Sequence, residues 1–224
     1  MTLPTRRRRL GPWGRRLRIG LLGFVAFMVL GNGIILAVSF VLGRLSPPEA
    51  PSVSIPGVGH LAVVDAKVWR GAAPASLASY QALAGAGVTT VVDLRAEPAS
   101  PDADAPLEAL GLRVVHLPIR DGQPPSEAQI ATFLQVVRES PGTVLLHCGA
   151  GVGRTGSMAA AYLVATGQAD GLDATVQNLA VGPPSLEQIA FSLGLSGTDA
   201  DKPPLPVVVV SRVLDAPRRF LTRF

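Results

Sequence analysis

The stretch from Thr143 to Gly156 holds the residues best suited to chemistry: a thiol, a guanidinium, a hydroxyl and several glycines. Cys148 is the only cysteine of the chain, Arg154 stands six positions after it, and Thr155 follows at once. A thiolate is a strong nucleophile, and a planar guanidinium can hold two oxygens of one phosphoryl group. These residue types at this spacing predict phosphoryl transfer through sulfur, with Cys148 as nucleophile and Arg154 as phosphate clamp.

The elements around Cys148 must place it over a cradle of backbone amides. An apolar run predicts a strand that ends at His147, and a helix is predicted over Ser157–Ala165. Glycines in the intervening loop allow successive N–H groups to turn inward, and the helix amino end adds its positive dipole. The predicted phosphate-binding residues are Gly149, Ala150, Gly151, Val152, Gly153 and Arg154.

Two neighbours of the loop are predicted to assist the sulfur. Thr155 is placed to donate its hydroxyl to Cys148 when the sulfur becomes the leaving group. His147 is expected to fix the loop and the charge of the thiol through its ring N–H groups. A helix amino end and nearby cations favour the thiolate, so the setting predicts a reactive cysteine rather than an inert core residue.

The motif from His147-Cys148 to Arg154-Thr155-Gly156 resembles the His-Cys-x5-Arg-Ser/Thr-Gly signature of the protein tyrosine and dual-specificity phosphatase superfamily. Segments 68–74, 90–95 and 117–121 are similar to its compact dual-specificity-like branch, which has bacterial members. The resemblance covers about residues 60–165, and more weakly extends to 195. It implies an α/β fold of three layers, with a small, mainly parallel central sheet flanked by helices, and hydrolysis through a cysteinyl phosphate without cofactor or metal.

The resemblance also implies a general acid on a mobile loop. Asp121, among the Gly and Pro residues of 118–125, matches that position, and a solvated turn residue is the alternative. Its carboxyl would protonate the departing oxygen and then, as carboxylate, activate water. Asp102 and Asp104 are weaker candidates for this acid. Four further polar residues are interpreted as structural: Arg70, Asp93, Arg95 and His116.

The interior of the glycine loop bears on the substrate. Residues 149–153 carry no Lys or Arg, whereas similar enzymes that act on highly phosphorylated inositols or inositol lipids often have basic residues there. The expected substrate is therefore a phosphoprotein, phosphotyrosine first, with dual specificity as an extension. A phospholipid or phosphoinositide headgroup at the membrane is the second alternative.

Three other interpretations use the same residues. Gly151 to Gly156 also fits G-x-G-x-x-G, which in a dinucleotide site needs an acid at the end of the following strand. Asp170 and Asp173 stand near that distance, but no strand is predicted before them. A non-catalytic phospho-binding domain and a sulfur-transferring enzyme are the remaining alternatives.

An apolar run near the amino terminus predicts a membrane span. Over the 24 residues of Ile19–Leu42 only Asn32 and Ser39 are polar. As a helix the run extends about 36 Å, enough to cross a hydrocarbon core of about 30 Å. A buried core helix and a cleaved signal peptide are the alternatives. Because seven Arg precede the run, the amino end is expected in the cytoplasm and the domain outside it.

Charge and composition exclude several classes. The chain has 20 basic and 16 acidic residues, but eight Arg and no acid fall within residues 1–44, which leaves an acidic remainder. This distribution argues against a nucleic-acid-binding domain, and a single cysteine excludes an intramolecular disulfide and a Cys-rich zinc site. Oligomeric state is not indicated.

The predicted organisation has five parts: a basic tail (1–18), a transmembrane helix (19–42), a Pro-rich linker (43–59), the phosphatase domain (60–197) and a Pro-rich, then basic amphipathic tail (198–224). That tail could lie on a membrane or pack on the domain. Strands are predicted at 61–64, 68–69, 88–94, 112–117 and 143–147, and helices at 77–84, 106–110 and 126–139. Their alternation independently predicts an α/β sandwich.

Overall fold

The computed structural model describes residues 12–49, 51, 55–97, 104–197, 199–200 and 202–221. The strands within these residues are β1 (Ala62–Val63), β2 (Val68–Ala72), β3 (Val88–Arg95), β4 (Arg113–Ile119), β5 (Thr143–Cys148), β6 (Leu195–Ser196) and β7 (Asp199–Ala200). The helices are α1 (Pro12–Leu45), α2 (Leu77–Gly85), α3 (Ala105–Glu108), α4 (Glu127–Glu139), α5 (Gly153–Ala165), α6 (Gly171–Val181), α7 (Leu186–Leu193) and α8 (Leu205–Leu221).

The central sheet has the strand order β1-β2-β5-β3-β4. Four of these strands are parallel to one another: β2, β5, β3 and β4. The edge strand β1 is antiparallel to β2. Parallel neighbours need crossover connections, which the intervening helices supply. The predicted fold class, a mainly parallel central sheet flanked by helices, is confirmed.

Residues of β5 alternate between two hydrophobic layers, as the period of a strand requires. Val144, Leu146 and Cys148 belong to the cluster that includes Phe133 of α4 and much of α5. Leu145 belongs to the opposite cluster with Leu83 of α2 and other residues of that layer. The sheet is thus the middle of three layers, and Cys148 is on the side of α5.

Several boundaries differ from the sequence-based expectation. Helix α5 begins at Gly153, four residues before the predicted start, because the loop already closes at Val152. Residues Arg154 and Thr155 therefore lie in its first turn. Strand β4 runs to Ile119, and β2 continues to Ala72, so both reach further toward the edge of the sheet where Cys148 lies.

The Pro-rich segment predicted as a linker is partly packed on the domain. Ile55 and Val58 are buried in the same cluster as Leu83 and Val91. Packing against the sheet thus begins before residue 60, the predicted domain boundary, because apolar side chains in this segment cover the face beside α2.

Helix α1 is longer than the predicted span and extends through Arg15 at one end and Arg44 at the other. Its stretch Arg15–Leu45 is long and apolar enough to cross a membrane. In the predicted C-terminal tail, α8 packs against α7 and α1, with Ser211, Leu214 and Asp215 buried. Arg223 and Phe224 of that tail lie outside the described residues.

Candidate active site

Cys148 ends β5, the strand at the centre of the sheet, and its side chain is 3% exposed. The carboxyl ends of β2 and β3 flank it on either side, since both strands are parallel to β5. Ligand sites of open parallel sheets form at this edge. The loop from Gly149 to Val152 then leads directly into α5.

Four consecutive carbonyl groups of this loop are turned outward and hydrogen-bonded. The Gly149 oxygen accepts from the amide of Ala73 at 3.1 Å. The Ala150 oxygen lies 2.9 Å from Nδ1 of His60. The oxygens of Gly151 and Val152 both accept from Nη2 of Arg70, at 3.0 and 3.2 Å.

The outward carbonyls fix the direction of the loop amides. In a trans peptide the C=O of one residue and the N–H of the next point in opposite directions. The N–H groups of residues 150–153 therefore face the interior of the loop, above Cys148. Successive inward amides next to a helix amino end form a concave anion site. The structure thus brings the predicted phosphate-binding residues 149–153 together around Cys148.

Gly151 is the position where this loop depends on glycine. Its φ is +74°, and a Cβ there would lie 2.4 Å from the backbone nitrogen of Ala72. Both the left-handed conformation and the approach to β2 exclude a side chain.

We expect Gly151→Ala to abolish oxyanion binding, because the loop must move away from β2 to admit the methyl group. The expected loss in vanadate affinity is more than about 10²-fold, and the melting temperature should fall by several degrees. Isothermal titration and thermal unfolding of the full chain measure these effects. Gly85→Ala is the matched control, since a Cβ there meets nothing within 4 Å; similar vanadate affinities of the two variants would contradict the geometry.

Arg154 is oriented by two acceptors on one side of its guanidinium. Nη1 donates to both carboxylate oxygens of Glu97, at 2.8 and 3.1 Å, and to the carbonyl of Ile119 at 3.2 Å. Nε is buried and has no hydrogen-bond acceptor among the described residues. A Cβ on Gly149 would lie 3.7 Å from Nη2. The Nε–Nη2 edge therefore lies beside the loop, with the Asp121 carboxylate 3.6 Å from Nε. A guanidinium edge of this kind can bind two oxygens of one anion.

Glu97 was not singled out by the sequence. Burial alone would raise the pKa of Glu97, but the hydrogen bonds and charge of Arg154, together with hydrogen bonds from backbone amides, outweigh it and hold that pKa below its ordinary value. The ionised carboxylate positions the guanidinium. The sequence feature that could have pointed to Glu97 is its position just after β3, at the carboxyl edge of the sheet.

Asp121 lies over the same guanidinium, with Oδ1 3.6 Å from Nε of Arg154. Two residues at the start of α7 donate hydrogen bonds to the loop that carries Asp121. Ser185 Oγ donates to the Gly122 carbonyl at 2.7 Å, and Gln188 Nε2 donates to the Gln123 carbonyl at 3.0 Å. These hydrogen bonds keep the Asp121 carboxyl group beside the guanidinium of Arg154.

The weaker acid candidates are placed differently. Asp104 Oδ2 is 2.6 Å from Nε2 of His116, whose other ring nitrogen lies 3.9 Å from Asp93. Asp104 thus belongs to a cluster with His116 rather than to the contacts of Arg154. Asp102 lies outside the described residues.

His147 and Thr155 are both buried, and the predicted hydrogen bond from the Thr155 hydroxyl to the Cys148 sulfur is not formed in this structure. Nδ1 of His147 lies 3.2 Å from the Cys148 carbonyl oxygen, which can only accept, so this nitrogen carries the proton. Burial lowers the pKa of His147, although Asp93 opposes the shift, so the ring is neutral at pH 7. The hydroxyl of Thr155 is fully buried and has no hydrogen-bond partner among the described residues.

Arg70 supplies a second cation behind the loop. Besides the two loop carbonyls, its Nη2 donates to Oδ1 of Asn178 at 3.0 Å. Burial lowers the pKa of Arg70 to about 10, and the nearby Cys148 acts in the opposite direction. The group remains charged at pH 7, so its hydrogen bonds to the loop carbonyls are charge-assisted.

The sequence-based interpretation of Arg70 as a structural residue is consistent with these contacts, by which Arg70 binds the loop directly. Asp93 and Arg95 form an ion pair with a 2.7 Å contact beside His147. Sequence reasoning gave no role to His60 or Asn178, because each reaches the site from a segment far away along the chain.

The residues after α5 bear on the dinucleotide interpretation. Asp170 caps α6 by accepting from the amide of Asp173 at 2.8 Å. A helix therefore follows α5, where the dinucleotide fingerprint requires a strand that ends in an acid.

Comparison with known proteins agrees with this geometry. A family model described as "Polymorphic toxin system, DSP-PTPase phosphatase" matches residues 64–168. The human dual specificity protein phosphatase CDC14C is 39% identical over 44 residues, which are 20% of this chain and 10% of that protein. The match thus spans about a tenth of the length of that relative.

Two solved structures share the fold. TpbA of P. aeruginosa, crystallised in complex with pTyr, is 24% identical with a TM-score of 0.52, covering 75% of this chain and 97% of that one. The core catalytic domain of the PP-IP phosphatase SIW14 from S. cerevisiae, in complex with citrate, is 14% identical with a TM-score of 0.52. That match covers 62% of this chain and 87% of the yeast domain.

Proposed function

We propose that this chain hydrolyses phosphomonoesters through a cysteinyl-phosphate intermediate on Cys148, which the match of residues 64–168 to a family model of DSP-PTPase phosphatases supports. The observation that carries the proposal is the pairing of two features around the buried sulfur. Inward amides of the loop face it, and the Arg154 guanidinium is close enough to interact electrostatically with it. Together they form a site for a dianionic phosphoryl group directly above a nucleophile.

In the first step the Cys148 thiolate attacks phosphorus, and the bond from phosphorus to the ester oxygen breaks. Asp121 donates its carboxyl proton to that oxygen, so the alcohol or phenol leaves neutral. In the second step Asp121, now a carboxylate, takes a proton from water as the water oxygen attacks phosphorus. The phosphorus–sulfur bond breaks, and the thiolate and inorganic phosphate are released.

Phosphotyrosine in proteins is the substrate that we propose. The loop interior is uncharged, so recognition depends on one phosphoryl group rather than on a highly charged headgroup. TpbA, which shares the fold, was crystallised with pTyr. A phospholipid headgroup is the second candidate, favoured by the apolar helix α1, which would keep the site close to a bilayer.

A substrate panel distinguishes these two classes. We expect the full chain in detergent micelles to cleave phosphotyrosine peptides with a kcat/KM at least about tenfold above that for phosphoserine and phosphothreonine peptides, because a long phenol reaches a buried sulfur more readily. Phosphatidic acid and phosphoinositides in the same micelles are the comparison, with released phosphate as the readout. Preferential turnover of either lipid would mean that the substrate is a phospholipid rather than a phosphoprotein, while the proposed mechanism would still hold.

The proposed location is a single-pass membrane protein with a cytoplasmic amino terminus and an extracytoplasmic phosphatase domain. Seven Arg precede the apolar part of α1, and only Arg44 follows it closely. Alkaline phosphatase fused after Phe224 is expected to be active, and β-galactosidase at the same point inactive. The reverse pattern would place the domain in the cytoplasm.

A further inference from the structure

The exposed face of α8 carries an apolar stripe next to Arg212, whereas two of the three described buried residues of the helix, Ser211 and Asp215 but not Leu214, are polar. Leu205, Val209 and Val213 are 79%, 59% and 36% exposed and follow one another at intervals of four, which aligns them along one stripe. Ser211 and Asp215, by contrast, are 0% and 7% exposed. A helix on a water-facing surface would show the opposite distribution. The stripe therefore indicates an apolar neighbour.

The orientation of α8 is fixed by its polar contacts, so the helix cannot roll to bury the stripe. Ser211 Oγ accepts from the amide of Glu187 at 3.0 Å and donates to Asp215 at 3.3 Å. Arg212 forms an ion pair with the Glu187 carboxylate at 3.4 Å. These contacts join α8 to the first turn of α7.

The position of α8 along α1 places the stripe at bilayer depth. A hydrocarbon layer of about 30 Å takes up about 20 helical residues, so the first 20 residues of the predicted span 19–42, which end at Val38, are enough to fill it. The last turn begins at Ser39, which is buried where α1 packs on the domain, and lies outside the hydrocarbon. Gly31 lies about 10 Å inside the end at Val38. The side chain of Leu214 contacts α1 at this residue, since a Cβ on Gly31 would be 3.1 Å from its Cδ2. Interfacial helices insert to about 5–10 Å.

We propose that α8 is an interfacial helix whose stripe of Leu205, Val209 and Val213 is covered by the bilayer, at the boundary between hydrocarbon and headgroups. The sequence after the stripe supplies Arg218, Arg219 and Arg223, whose charge suits anionic headgroups. Docking of α8 would also fix the height of the Asp121 loop above the membrane, because Ser185 and Gln188 hold that loop and flank Glu187.

Spin-label accessibility tests this contact without relying on catalysis. The full chain carrying Cys148→Ser is labelled at Val209→Cys and reconstituted in nanodiscs of phosphatidylcholine and phosphatidylglycerol at about 3:1. Gln81→Cys is the matched control, since this exposed residue of α2 lies on the opposite side of the sheet. We expect the label at 209 to collide with oxygen at least about threefold more than with a water-soluble nickel chelate, and the label at 81 to show the reverse.

Two results would overturn the proposal. Equal nickel accessibility at 209 and 81 would mean that water covers the stripe. Dipolar broadening between labels at 209 on different molecules, lost on dilution with unlabelled chain, would mean that a second copy covers it. A second label at Leu205→Cys repeats the measurement at the most exposed position of the stripe, where a nitroxide displaces no packed side chain.

Discussion

Replacing Cys148 by serine is expected to abolish hydrolysis while leaving the phosphate site intact. A serine hydroxyl stays protonated where the thiol yields a nucleophilic anion, so turnover of a phosphotyrosine peptide should fall on the order of 10⁴-fold or more. Affinity for tungstate, a tetrahedral oxyanion that can be bound without a bond to sulfur, should change by less than about fivefold, because the inward amides and the guanidinium of Arg154 do not involve the sulfur. Steady-state kinetics and isothermal titration on the full chain separate the two effects.

A trapping experiment adds a direct test of the intermediate. Rapid acid quenching of the unsubstituted chain during turnover should yield phosphate bound to Cys148, identified by mass spectrometry, and none in Cys148→Ser. Residual turnover above about 1% in the serine variant, with no phosphorylated sulfur in the parent, would exclude the cysteinyl-phosphate route.

Replacing Asp121 by alanine is expected to lower kcat by about 10²- to 10⁴-fold, the usual contribution of a general acid. KM should change little, since Arg154 and the loop amides bind the phosphoryl group. The loss should shrink for an aryl phosphate whose phenol is much more acidic than tyrosine, because a good leaving group departs without a proton. Comparison of kcat for p-nitrophenyl phosphate and for a phosphotyrosine peptide measures this dependence.

Asp104→Ala is the matched control. Asp104 is the other candidate for the general acid that the structure describes, and it contacts His116 rather than Arg154. Its kcat should stay within about threefold of the parent enzyme. A loss that is equal for both leaving groups in Asp121→Ala, or a loss confined to Asp104→Ala, would move the acid away from residue 121.

Much of the candidate site could be predicted from the sequence because its residues are close neighbours along the chain. The glycine spacing from 149 to 153, with Cys148 before it and Arg154 after it, predicts a loop between a strand and a helix. Hydrogen bonds within such a loop and the start of a helix are local, so residue types and spacing nearly determine them. The α/β class followed in the same way from strands that alternate with helices.

The residues that support the loop could not be predicted, because they come from distant segments. Arg70 reaches Gly151 and Asn178 across separations of 81 and 108 positions, and Glu97 reaches Arg154 across 57. None of these three pairings has a local signature, since each depends on which strands lie side by side. The strand order β2-β5-β3 brings the ends of these segments together.

Helix α8 shows the same division at the surface. Its sequence indicated an amphipathic tail without saying which face meets the domain. The tertiary structure decided this, because Ser211 and Asp215 are buried at the α7 side while Val209 faces outward. The sequence by itself determined the reactive loop through short-range geometry. Only the packing of distant elements determined what holds Arg154, what supports the Asp121 loop and which surface is left apolar, because those contacts exist only once the sheet has formed.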